Sequence, residues 1–195
     1  MNTQGRLLGR IYKDVVHHIE ERSCRSVLDI GAGSGRLAAN LGQAGVQVTA
    51  VDIDRPRRRS VRSEFSGAFV QADAAHLPFG ESFDCAVLSM VLHSLSPDAC
   101  NAVWREANRV VREGGILIVC DFSQLGHSHV TGRLMQSFFT LEEWLVARAG
   151  SPHYKNYKMF RRQGGLEHFL GTVVSRVQAS RRYLFGNIQL SVVGK

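Results

Sequence analysis

Residues 26–38 constrain the fold more than any other stretch. Ser26-Val27-Leu28-Asp29-Ile30 is a short apolar run, Gly31-Ala32-Gly33-Ser34-Gly35 follows it, and residues 36–44 have helical character closed by Gly45. A buried strand, a tight loop and a helix are predicted in that order. Glycine adopts backbone conformations closed to other residues and lets a ligand approach the main chain, so such a loop at a strand end marks a small-metabolite site. The dinucleotide pattern G-x-G-x-x-G fails, because position 36 is arginine. Asp29 argues against a pyrophosphate too, since its carboxylate would repel the group that a helix N-terminus attracts. A cationic ligand group suits it better.

The rest of the chain repeats the alternation. Residues 6–22 place Leu7, Ile11, Val15 and Ile19 four apart, the stripe of an amphipathic helix. Residues 46–51, 68–71, 83–89 and 116–120 read as further strands. Residues 57–65 and 97–111 read as helices, the second stopped by Gly114-Gly115. Strands and helices in turn imply a parallel sheet with helices on both faces and ligands at the carboxyl ends of the strands. Residues 172–183 and 187–193 read as a hairpin turning at Gly186. Residues 122–171 are less regular and carry His127, His129, Phe138, Phe139, His153, Tyr154 and Tyr157. They are expected to shape an acceptor pocket.

A chain of 195 residues fits one domain, residues 1–195, and 44% hydrophobic with 21% charged residues excludes a disordered tail or a fibre. No apolar run approaches the roughly 18 to 20 residues that span a bilayer, and the N-terminus lacks an apolar signal core, so a cytoplasmic protein is expected. Cys24, Cys85, Cys100 and Cys120 show no C-x-x-C spacing, which indicates neither a disulfide framework nor a zinc site. Residues 1–121 balance 14 Lys+Arg against 14 Asp+Glu, whereas residues 122–195 hold 10 against 3. The net charge of +7 therefore belongs to the C-terminal third. That bias suits an anionic substrate, nucleic acid or an acidic membrane surface, and its bland reading is a solvated basic face.

Two more carboxylates extend the site. Asp52 lies 21 residues after Gly31, at the end of the second strand, where an acidic side chain meets ribose hydroxyls. Asp73 is expected to close the third strand, where it could accept a hydrogen bond from an exocyclic amine. Single carboxylates at strand ends are commonly turn residues. Three of them with the glycine loop point to a nucleoside that carries positive charge.

The segments VLDIGAGSGRLA (27–38), VTAVDID (48–54), VQADAAHLPFGESFDCAVLSMVLHSL (70–95) and REANRVVREGGILIV (105–119) occur in this order. They resemble the class I S-adenosylmethionine-dependent methyltransferases, in particular the branch similar to the ubiquinone and menaquinone biosynthesis methyltransferases. The resemblance implies a Rossmann-like α/β fold with a seven-stranded, mostly parallel sheet. Its antiparallel C-terminal hairpin would run the seventh strand between the fifth and sixth. The implied cofactor is S-adenosylmethionine, released as S-adenosylhomocysteine. Asp29 and the backbone of Gly31, Ala32, Gly33 and Gly35 would surround its methionine part. Asp52 would take the ribose hydroxyls, Ile53 would pack on the adenine, Asp73 would bond its amino group, and the Ala74 amide would meet a ring nitrogen. Ser89 and Met90 would lie beneath the methionine.

Methyl transfer is an in-line displacement in which orientation carries most of the work. Where a proton must leave the acceptor, His93 and Asp121 are the candidate catalytic residues. Methyltransferases of the family with different acceptors often have a histidine at the place of His93, which also fits packing or cofactor support. His127-x-His129 reads as a polar loop rather than a metal pair, and no metal is expected. Pro56-Arg57-Arg58-Arg59 reads as a solvated helix start. Ser89-Met90-Val91-Leu92 lacks the Asn/Asp-Pro-Pro-aromatic motif of base-amine methyltransferases, and neither a Pro-Cys dipeptide nor paired glutamates after the fourth strand is present. Nucleic acid is thereby disfavoured, and a small-molecule acceptor, aromatic, quinone-like or lipid-like, is expected. The basic third would suit contact with an anionic bilayer. The alternatives are a catalytically silent module that binds S-adenosylmethionine or docks a partner, and a nicotinamide enzyme.

Overall fold

The computed structural model describes residues 8–54, 67–124, 130–147 and 151–195. The expected helix over 57–65, the basic run 56–59, Leu7 and the pair His127 and His129 lie outside the described residues. Seven strands form one sheet: β1 (Ser26–Ile30), β2 (Gln47–Asp52), β3 (Ala68–Gln71), β4 (Phe83–Ser89), β5 (Val111–Phe122), β6 (Ala179–Tyr183) and β7 (Ile188–Gly194). Their order is β3-β2-β1-β4-β5-β7-β6, with β7 between β5 and β6 as expected. β1 pairs in parallel with β2 and β4, β2 pairs in parallel with β3, and β6 runs antiparallel to β7. The chain forms two compact units. The first comprises Met1–Ser89, Ala102–Ile118 and Gly194–Lys195, and the second Met90–Asn101 and Val119–Val193.

In the first unit, Val27, Leu28 and Ile30 of β1 and Cys85 to Leu88 of β4 are buried, the near-continuous apolar run of strands covered on both faces. Helix α1 (Gly9–Glu21) buries Ile11, Tyr12, Val15 and Ile19, the stripe its spacing predicts. Each such aliphatic side chain stabilises by about 1.5 to 3 kcal/mol. Helix α2 (Arg36–Gln43) leaves the glycine loop through Gly35 and buries Leu37, Ala38, Ala39 and Leu41. Asp84 of β4 accepts the Arg25 and Ser26 amides, both at 2.8 Å, and pairs with Arg112 at 3.0 Å. Burial works against its ionisation, yet these donors outweigh burial and hold its carboxyl below the usual range. Helix α3 (Pro97–Val110) ends one residue earlier than expected. β5 begins at once, not at residue 116, and takes in Gly114 and Gly115. A Cβ on Gly115 would lie 2.7 Å from the Asp84 carbonyl oxygen, so the close strand pairing there requires glycine.

The second unit corrects two expectations. The described residues of 122–171 are mostly helical rather than less regular: they hold helices α4 (Val130–Ala147) and α5 (Pro152–Arg162) and most of α6 (Gly165–Val173). The first hairpin strand starts at Ala179 rather than at residue 172, because α6 claims Thr172 and Val173 while burying Leu166, Phe169 and Leu170 at helical spacing. Ser151 caps α5 by accepting the Tyr154 amide at 3.3 Å, and Pro152 opens the helix. The hairpin turns through Leu184, Phe185 and Gly186, all at positive φ. All four cysteines are free and buried. Among the described residues no helix is long and apolar enough to cross a membrane.

Candidate functional site

The glycine loop is pinned to the end of β2. Gly31 and Ala32 both donate their amides to the Val51 carbonyl, at 2.8 and 2.9 Å, and Gly35 donates to Ala32 at 2.8 Å. Gly31, Gly33 and Gly35 have φ of 71°, 53° and 69°, a left-handed series that L side chains rarely adopt. A Cβ on Gly33 or Gly35 would meet nothing within 4 Å. Conformation rather than crowding requires glycine at those two positions.

Parallel pairing brings the carboxyl ends of β1, β2 and β3 to one edge, and with them the acidic residues that spacing singled out. Asp52 accepts the Gly33 amide on one oxygen at 2.7 Å and the Asp54 amide on the other at 3.0 Å. Asp29 is 2% exposed, and its Oδ2 has no hydrogen-bond partner. Burial, reinforced by the Asp52 charge and opposed by the Ala38 amide, pushes its carboxyl up to about 7. Ser89, one residue beyond the register pair Ile30 and Leu88, also carries a buried hydroxyl without a partner. Ile53 is exposed, and Ala74 is half-buried. Asp73 does not close β3: it lies two residues past Gln71 and forms a turn. Its carboxylate accepts the Ala75 amide at 2.9 Å and meets His76 Nδ1 at 3.3 Å. The Ala75 amide is the main cause of a pKa below the ordinary value.

The second unit holds the remaining candidates. Met90 has φ 59°, and its amide donates to the Cys120 carbonyl at 2.8 Å. Such a conformation costs a non-glycine residue about 1 to 3 kcal/mol and recurs at functional sites. His93 and Asp121, 28 residues apart, meet: His93 Nδ1 is 2.8 Å from Asp121 Oδ1, and both side chains are buried. Asp121 also accepts the backbone amides of His93 and Phe122. Burial alone would lower the His93 pKa, but the charge and hydrogen bond of Asp121, with the charge of Glu143, outweigh it and raise the pKa above its ordinary value. The ring packs edge-on against Phe122, His153 and Tyr157.

Sequence reasoning missed two neighbours of His93. Glu143 of α4 lies with Oε1 3.9 Å from His93 Nε2, and its Oε2 is 2.7 Å from His153 Nε2. No spacing rule links three residues contributed by a short 3₁₀ turn, the C-terminal third of α4 and the first turn of α5.

A methyltransferase-domain family model matches residues 28–119, from β1 through most of β5. Over these residues the chain is similar to methyltransferase domains. A demethylmenaquinone methyltransferase of Beutenbergia cavernae is 38% identical over 99 residues, covering 50% of this chain and 40% of that protein. The methyltransferase GfsG of Streptomyces halstedii is 32% identical over 170 residues, covering 81% of this chain and 58% of GfsG. The chain thus spans about half the length of these curated relatives. Among solved structures, a Burkholderia thailandensis 1,6-didemethyltoxoflavin-N1-methyltransferase, crystallised with 1,6-didemethyltoxoflavin and S-adenosylhomocysteine, superposes with a TM-score of 0.62. It is 18% identical, and the match covers 94% of this chain and 76% of that one, a likeness of fold. The methyltransferase-domain match therefore falls on the strands that carry the glycine loop and the acidic residues.

Proposed function

We propose that this chain is a class I methyltransferase domain that binds S-adenosylmethionine at the carboxyl ends of β1 to β4 and directs its methyl group to a compact aromatic or apolar acceptor. The observation that carries the reading is Asp29: a carboxylate oxygen buried beside a glycine loop with no donor of its own. A buried unpaired acceptor costs about 1 to 3 kcal/mol, and a ligand ammonium there would relieve that cost and favour the ionised form. The unpaired Ser89 hydroxyl offers a second group for the same ligand. Asp52 spends its two oxygens on two amides and retains lone pairs for ribose hydroxyls. The exposed face of Ile53 suits an adenine ring, and Asp73 with the Ala74 amide would meet its edge.

Bound S-adenosylmethionine supplies an activated methyl group and leaves as S-adenosylhomocysteine. What this chain supplies is position. Fixing the donor against the glycine loop and its neighbouring carboxylates lowers the entropic part of the barrier by several kcal/mol, on the order expected for well-oriented reactants. His93 and Asp121 hold each other through buried hydrogen bonds, and the second His93 nitrogen faces Glu143. That arrangement suits a positioning task better than contact with an acceptor.

The names of similar proteins support a small-molecule acceptor: one is a demethylmenaquinone methyltransferase and a structural neighbour is a 1,6-didemethyltoxoflavin-N1-methyltransferase. Residues 122–171 supply matching surfaces. Thr140, Leu141, Trp144 and Tyr154 line a depression of about 540 Å³, within the usual range of small-molecule sites. Phe139 and Tyr157 are buried against Phe122 and belong to the core.

Calorimetry with S-adenosylhomocysteine, followed by mass spectrometry of cell extract incubated with labelled S-adenosylmethionine, tests the proposal. Saturable heat and a labelled small product are expected. Well-folded protein that gives no heat with either form of the cofactor would overturn it.

A further inference from the structure

We infer that His93, Glu143 and His153 form a divalent-metal site with two imidazoles and one carboxylate, of a kind that suits zinc. One ligand atom from each of the three lies within 4.8 Å of the others. A four-coordinate zinc with bonds of about 2.0 to 2.1 Å holds its ligand atoms about 3.3 Å apart. The observed separations, 3.9 Å from His93 Nε2 to Glu143 Oε1 and 2.7 Å from Glu143 Oε2 to His153 Nε2, lie on either side of that spacing.

Three further features favour an ion. First, Asp121 sits on His93 Nδ1 at 2.8 Å. That contact places the ring proton on Nδ1 and directs the Nε2 lone pair toward Glu143, the carboxylate–histidine arrangement that orients metal ligands. Asp121 is itself fixed by the amides of His93 and Phe122. Second, two buried carboxylates share this region, and among the described residues their ion pairs run only to histidines. A dication held between them would balance that negative charge. Third, the His153 side chain is 36% exposed and gives solvent a way in, while His93 is 5% exposed and gives rigidity. Imidazole donors favour zinc or another late divalent ion over magnesium or calcium. Three protein ligands leave a fourth position for water or a ligand oxygen. This inference stands apart from the proposed methyl-donor site, which uses other residues.

The competing account is that the three groups only share protons, with the His153–Glu143 contact a charge-assisted hydrogen bond. The two accounts separate on metal uptake. Full-length protein without an affinity tag, stripped with a chelator, is titrated with cobalt(II) and then zinc(II), read by visible d–d absorption and calorimetry. One equivalent of cobalt is expected to bind and to be displaced by zinc. His153→Gln, at a half-exposed position, is expected to keep the circular dichroism of the wild type and weaken binding at least tenfold. Glu143→Gln is expected to do the same, and Asp121→Asn to weaken binding about 10- to 100-fold by releasing the His93 ring. Two other histidine pairs are controls: His17→Ala/His18→Ala on α1, beside Glu21, and His127→Ala/His129→Ala should leave the high-affinity step unchanged. Absence of saturable uptake, or uptake that survives both His153→Gln and Glu143→Gln, would overturn the assignment.

Discussion

The Asp52 carboxylate receives the Gly33 amide at 2.7 Å, which fastens the glycine loop to the last residue of β2. One side chain thus shapes the loop and, in the proposed function, holds the ribose. Asp52→Ala is expected to weaken S-adenosylhomocysteine binding by about 1 to 3 kcal/mol through lost charge-assisted hydrogen bonds. Asp52→Asn should lose less, because its amide oxygen can still accept from Gly33. Calorimetric affinities of the three proteins decide the matter, and an unchanged affinity for Asp52→Ala would remove the ribose assignment.

Asp29 sets a pH dependence whose sign follows from its burial. Its folded-state pKa, up from 3.8 to about 7, lies above the unfolded value. Its contribution to stability is therefore fully present below the unfolded pKa and lost as pH rises through about 7. Without ligand, Asp29→Asn should melt higher than wild type above neutrality, the gap closing toward acid. A ligand ammonium at Asp29 would favour ionisation, so binding near pH 7, about the middle of the titration, should release up to about half a proton per site. Calorimetry in buffers of different ionisation heat detects that release. Equal release by wild type and Asp29→Asn would show that the proton comes from elsewhere.

Asp84 offers a control outside the glycine loop. It accepts the Arg25 and Ser26 amides near the starts of β1 and β4, and its pKa is lowered. The stability it contributes is present above the unfolded pKa and is lost as pH falls through the folded one. Asp84→Ala should cost about 1.5 to 3 kcal/mol in urea unfolding at neutral pH, as expected for hydrogen bonds to a charged group. Folded Asp84→Ala should bind S-adenosylhomocysteine as wild type does. A large affinity loss would mean that the loop depends on the far ends of the strands.

What could be read from the chain followed how locally each feature is encoded. β1 and β4 were legible because a buried parallel strand must be apolar on both faces, and because Gly31 and Gly35 sit where the chain has to turn. Asp29 and Asp52 were legible by their distance from the loop. Asp73 was placed near the right edge, but the turn it makes with Ala75 and His76 leaves no mark in a strand pattern. Residues 172–174, Thr-Val-Val, look like a strand by β-branching, and only the burial of Phe169 and Leu170 shows that α6 runs to Val173. The His93, Glu143 and His153 cluster was illegible, since tertiary packing alone brings three distant segments together.

Helix α4 carries the last prediction. Val130, Leu134, Phe138, Leu141 and Trp144 are all exposed, by 43 to 68%, and fall within about a third of the helix circumference. Phe139 and Glu143, on the opposite side, are buried. An apolar stripe of this kind, with Lys155, Lys158, Arg162, Arg181 and Arg182 exposed in the same unit, suits the surface of an anionic bilayer. Arg161 adds nothing to that charge, being buried over the Phe122 ring. Flotation with vesicles containing phosphatidylglycerol should exceed that with phosphatidylcholine alone and fall as salt rises. Trp144 emission should shift to the blue, while the buried Trp104 gives a constant background. Leu134→Glu and Phe138→Glu should each reduce flotation at least tenfold, a loss of about 1.4 kcal/mol, with the heat of cofactor binding unaltered. Equal flotation on acidic and neutral vesicles would exclude electrostatic attraction to the bilayer and leave the stripe to a protein partner or to the acceptor.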